Sequence, residues 1–144
     1  VCPYQNLEPK TGVETIGGFL SIPNATIESK PIVYFFGTTW CPHCKWEKPI
    51  FIGVVSKFGN SITPKIVEID KESSSDITVF NHYSSKGAIP LIVIGGKYFR
   101  TGSGETWGVD QEANYITALL CKSTNNSIPE CSSPQIANLT AQIA

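Results

Sequence analysis

Cys41 and Cys44 stand in the stretch FFGTTWCPHCKWEKP (residues 35–49), with Pro42 and His43 between them. Thiols at this spacing close a fixed crosslink, ligate a metal, or cycle between dithiol and disulfide. A structural zinc site takes four ligands, as a rule from two such knuckles. Here the other close pair, Cys121 and Cys131, is ten apart, and His43 and His82 are the only histidines. An inert crosslink has no need of a helix start. Redox chemistry does, and one is present: the apolar run PIVYFF (31–36) reads as a buried strand, and a helical pattern opens at Pro42. Cys41 therefore falls at a helix N-terminus, where unpaired N–H groups and the positive end of the dipole favour a thiolate, the attacking species. Cys44, one turn on, lies beneath it in reach of a disulfide. Pro42 suits the first helical turn, where its missing N–H costs nothing. His43 adds a hydrogen bond or a positive charge beside the sulfur. Each pKa unit taken off Cys41 favours its thiolate by about 1.4 kcal/mol. That stabilises the dithiol and makes the disulfide the stronger oxidant.

The elements that must hold this pair follow from pattern. Residues 1–30 read as an irregular arm with one short strand near Val13–Leu20. After the strand at 31–36 a helix spans Pro42 to Phe58, bent by Pro49 and closed by Gly59. KIVEID (65–70) is a second buried strand, and a short helix covers Ser75–Tyr83. LIVI (91–94), Gly95-Gly96 and KYFRT (97–101) form a hairpin. A last amphipathic helix runs from Val109 to Lys122, with Ala113, Ile116, Ala118, Leu119 and Leu120 inward, and Pro134 starts a short helix in the tail. The order β-α-β-α-β-β-α gives an α/β fold, a mixed sheet of four to five strands with helices on both faces. The chain divides into the arm (1–30), a core (31–122) and a C-terminal extension (123–144).

With 144 residues, 16% charged and a net charge of −1, the chain suits one domain, and its charge offers no attraction to nucleic acid or anionic membrane. Its apolar runs are too short to cross a bilayer. Without methionine and starting at Val1, it reads as a mature form. Cys121 and Cys131 flank a Ser/Asn-rich loop (CKSTNNSIPEC) and read as a disulfide, the alternative being two free thiols that happen to be near each other. A disulfide there implies an oxidising compartment, and the sequons at Asn24, Asn125 and Asn138 agree with export. Cys2 is left over, as a lipid attachment point, an intermolecular partner or an idle thiol.

FFGTTWCPHCKWEKP resembles the active-site segment of the thioredoxin superfamily: apolar strand, Trp before the first cysteine, CxxC, Lys after the second, and a helix proline beyond. GAIPLIVIGGKYFRTG (87–102) resembles that family's Ile-Pro element and hairpin. The resemblance spans about residues 28–122. It implies that Ile89–Pro90 is cis, that Pro90 faces the cysteines, that the backbone of Ile89 pairs with an extended substrate, and that Trp40 walls the substrate face. The Pro-His dipeptide is that of the DsbA oxidases, yet only 45 residues separate Cys44 from Pro90, which excludes their large helical insertion. Compact CPHC domains that partner vitamin K epoxide reductase-type membrane proteins are the nearer likeness. The family's buried carboxylate, which takes the proton of the second cysteine, is replaced by Phe35. Glu68 stands as the substitute, or as a solvated strand-end residue. Lys45 and Lys48 read as solvated helix charges, His82 as a surface or capping residue, and Gly102-Ser103-Gly104 as a turn.

The resulting expectation is a monomeric, extracytoplasmic thiol–disulfide oxidoreductase of the oxidase or isomerase type, with Cys41 the exposed nucleophile and Cys44 resolving. It needs no cofactor or metal. It acts on protein or peptide thiols and disulfides and is recycled by a membrane redox partner. Two alternatives stay open: a reductase for one specific partner, and a non-catalytic binding module whose disulfide staples the site.

Overall fold

A computed structural model describes residues 11–71, 75–84 and 86–144. Cys2 lies outside the described residues. The central strand, β3 (Ile32–Gly37), is the apolar run read from sequence. It is parallel to β4 (Thr63–Glu68) on one side and antiparallel to β5 (Leu91–Ile94) on the other. Successive side chains of a strand point to opposite faces, and two phenylalanines show what lies on each. Phe35 meets Phe51 of α1 (Pro42–Ser56), ring centroids 5.4 Å apart, whereas Phe36 meets Phe80 of α2 (Ser75–Tyr83) at 5.5 Å. Helices therefore cover both faces. Burying rings of this size contributes about 1.5–3 kcal/mol each. β6 (Tyr98–Thr101) completes the hairpin with β5 through Gly95 and Gly96, both at positive φ, and α3 (Gly108–Ser123) packs beside α1.

The arm departs from expectation. In place of one strand it forms a hairpin, β1 (Val13–Glu14) and β2 (Leu20–Ser21), around a 3-10 turn at Ile16–Gly18. Gly17 and Gly18 take φ of 64° and 72°, a region only glycine enters cheaply, and this reverses the chain. β2 then pairs with β6, so the sheet has six strands, in the order β1-β2-β6-β5-β3-β4, and not four or five. α1 also ends earlier than read. Lys57 and Phe58 donate to Val54 and Val55, three residues back, which tightens the last turn before Gly59.

The extension folds back onto α3. Cys121 and Cys131 are joined, with Cα atoms 5.6 Å apart, and α4 (Pro134–Thr140) starts with Ser133 Oγ accepting from the Ile136 N–H. No helix among the described residues is long and apolar enough to cross a membrane. From β3 to α3 the elements run β-α-β-α-β-β-α around a mixed sheet, with a cis Ile89–Pro90 bond before β5. The fold is thioredoxin-like.

Candidate redox site

β3 ends at Gly37, three residues bridge to Cys41, and Cys41 caps α1 in an extended conformation while its carbonyl accepts the Lys45 N–H at 3.1 Å. Pro42 occupies the first helical position, as read from sequence. Cys44 lies one turn in, against the strand: a Cβ on Gly37 would stand 3.0 Å from Cys44 Sγ. Glycine is what lets the second sulfur settle there. Burial pushes the Cys44 thiol up to about 12, and its hydrogen bond to Cys41 adds to this, while the Thr38 N–H opposes it. Cys44 is thus held as a thiol. Cys41, expected to be exposed, is only 5% exposed against 2% for Cys44. That expectation is corrected: at the start of α1, the first cysteine is drawn into the core cluster, and its neighbour Trp40, 54% exposed, takes the outer position.

Of the other residues singled out, Ile89 and Pro90 are buried and joined by a cis bond, and Pro90 O accepts from the Gly102 N–H at 2.7 Å. Phe35 fills the space beside Gly37. Glu68 is engaged by Lys48, whose Nζ donates to its Oε1 at 2.8 Å, so neither is simply solvated. Lys45 and His82 are exposed. His43, itself exposed, turns Nδ1 toward Glu105 Oε1 at 2.5 Å.

Four ionisable residues on the elements around this site were not singled out by sequence. Glu47 on α1 and Glu112 on α3 are fully buried, and Arg100 of β6 is 5% exposed between them. Arg100 Nη2 pairs with Glu112 Oε2 at 2.5 Å and lies 3.4 Å from Glu47 Oε1, while Nη1 donates to Glu112 Oε1 and to Gly17 O. One guanidinium cannot neutralise two buried carboxylates, so one keeps a proton. Burial and the facing Glu112 push Glu47 up to about 9. Burial also raises Glu112, but bonds from Arg100, Glu47 and the Trp107 indole outweigh it and hold Glu112 below the ordinary range. Glu47 Oε1 accepts the Gly104 N–H at 2.9 Å. Its Oε2 is buried without a hydrogen-bond partner. The fourth residue is Glu105, next to Gly104. Its carboxyl is held low by the Ser103 hydroxyl and then by His43. A signal was present: Glu47 shares the helical stripe of Cys44, Phe51, Val54 and Val55, an acid in an apolar row.

No family model matches the chain. Over 48 residues, 33% of the chain, it is 38% identical to thioredoxin of Gallus gallus. The chain spans under half of that relative's length, 43%. Among solved structures it is similar to chloroplastic thioredoxin z (TM-score 0.48, 14% identity, covering 68% of this chain and 81% of that one). It is also similar to thioredoxin O2 of Arabidopsis thaliana in the oxidised state (TM-score 0.41, 26% identity, 51% and 64%) and to thioredoxin-2 of the malaria parasite (0.45, 17%, 80% and 96%). Together the topology and the motif identify a thioredoxin-superfamily fold that carries a Cys41-Pro-His-Cys44 pair with its sulfurs in near contact.

Proposed function

We propose that the chain is a thiol–disulfide oxidoreductase acting on protein or peptide disulfides, extracytoplasmic, and of the oxidase or isomerase type. The observation that carries the reading is the unequal placing of two hydrogen-bonded thiols. Cys41 caps a helix, while Cys44 is buried one turn on with its proton held. Cys41 as thiolate attacks a substrate disulfide, one substrate thiol departs, and a mixed disulfide forms. Cys44 then gives up its proton, bonds to Cys41 Sγ and releases the second thiol, so two electrons pass to the substrate, whose two thiols take up the Cys44 proton and one from solvent. Run backwards, the same steps oxidise a dithiol.

The finer reading draws on two supports. Pro-His between the cysteines favours the thiolate and hence oxidation. The Cys121–Cys131 disulfide suits an oxidising compartment. A membrane redox protein of the vitamin K epoxide reductase type is proposed as the recycling partner, and the chain is proposed to act as a monomer. Insulin-disulfide reduction tests the chemistry: Cys41→Ser abolishes it, and Cys44→Ser accumulates a mixed disulfide visible by mass. Undiminished turnover in Cys41→Ser sinks the mechanism. Titration against glutathione tests the direction. A potential near the thioredoxin value of about −270 mV defeats the oxidant claim, whereas one near the isomerase value of about −180 mV or above supports it.

A further inference from the structure

The segment between β6 and α3, residues 102–107, is fastened to buried groups at several points. The Gly102 N–H donates to Pro90 O and its carbonyl accepts from Arg100 Nε. The Gly104 N–H donates to buried Glu47, the Gly104 carbonyl accepts from the N–H groups of Trp107 and Gly108, and the Trp107 indole donates to Glu112. A Cβ at Gly104 would come within 2.1 Å of Glu112 Oε1, so the backbone is pressed directly against the acid pair. A loop bolted in this way presents its one exposed acid, Glu105, at a set place, and there Oε1 receives both Ser103 Oγ and His43 Nδ1.

An exposed ion pair of this kind adds little to stability. Its weight lies in where the charge sits. His43 is the second residue of α1, beside Cys41, the residue that caps that helix. With Glu105 present, the His43–Glu105 pair carries between −1 and 0. Without it, the imidazole alone carries between 0 and +1. For a ring in the same protonation state, Glu105 subtracts one charge at that point, and it fixes Nδ1 as the nitrogen turned away to the loop.

We propose that Glu105 is a positioning residue which, by holding His43 through Nδ1, restrains the oxidising power of the Cys41–Cys44 pair. This rests on the redox reading above. The exchange that reads it is balanced: the dithiol gives two electrons to glutathione disulfide, the Cys41–Cys44 bond forms as the glutathione bond breaks, and the two protons end on two glutathione thiols.

The test equilibrates the full chain, Glu105→Gln, His43→Gln and the double variant with glutathione buffers at pH 7, then counts free thiols by alkylation mass shift. Glu105→Gln is expected to move the equilibrium three- to tenfold toward the dithiol, about 15–30 mV more positive. Reduced Cys41 should also alkylate faster at pH 6, with the melting temperature unchanged. In the His43→Gln background the same substitution should move the equilibrium less than half as far. A wild-type chain that exchanges while Glu105→Gln matches it, or shifts toward the disulfide, overturns this inference alone. A full shift that persists without His43 overturns the positioning role. A wild-type chain that does not exchange with glutathione at all overturns the redox reading beneath it.

Discussion

At Gly37 a methyl group would meet Cys44 Sγ and the Phe35 ring, both at 3.0 Å. Packed interiors answer such an intrusion with shifted side chains, at a cost of about 1–3 kcal/mol. Gly37→Ala should therefore lower the unfolding free energy measured in urea by that order and, by displacing the resolving sulfur, lengthen the life of the mixed disulfide. Rapid-quench mass analysis would read the second effect, and an unaltered resolution rate would remove Gly37 from the site. The sequence displays this glycine plainly, but not what approaches it, because the contact joins a strand end to a helix turn through space. The cysteine spacing, Pro42 at the first helical position and the Ile89–Pro90 element were legible because each is a local pattern. The shallow access of Cys41 was not, since burial depends on how far the whole strand penetrates the core.

At the scale of elements, α1 and α3 present apolar stripes interrupted by one acid each, Glu47 and Glu112, with Arg100 of β6 between them. Periodicity located both helices within a few residues but passed over the acids, because an inward carboxyl has meaning only once its partner on another element is known. Their titration has a definite sign. The folded state holds a proton on Glu47 up to about pH 9, whereas the unfolded chain releases it near the usual carboxylate range. Between those limits the folded state binds the extra proton, so stability declines as pH rises from about 5 to about 9. Glu112, held low, acts in the opposite sense and loses its contribution only as pH falls below the usual range. Glu47→Gln keeps an uncharged acceptor for Gly104 and removes the alkaline slope. The difference in melting temperature between pH 5.5 and pH 8.5 should at least halve in that variant. An unchanged difference would place the slope elsewhere.

For the molecule as a whole, the described chain closes on itself at both ends. Cys121–Cys131 pins the extension to α3, Ser21 Oγ donates to Ala144 O, and the Ala144 N–H donates to Thr15 Oγ1. The chain-entropy estimate for a loop this short is about 3 kcal/mol. Replacing both cysteines with alanine should lower unfolding stability by that order in urea while leaving the glutathione equilibrium of Cys41–Cys44 in place. A change in that equilibrium would mean that the tail bears on the chemistry. The core topology was legible from element order, but the place of the arm was not: two-residue strands carry no period, and only two glycines hinted at a reversal. That arm has a consequence. Its Gly17 carbonyl and Phe19 ring shelter the same guanidinium that neutralises Glu112, with the ring 4.6 Å from it. Peeling the outermost ribbon from the sheet would strip that cation of its cover and unsettle the proton between the two acids.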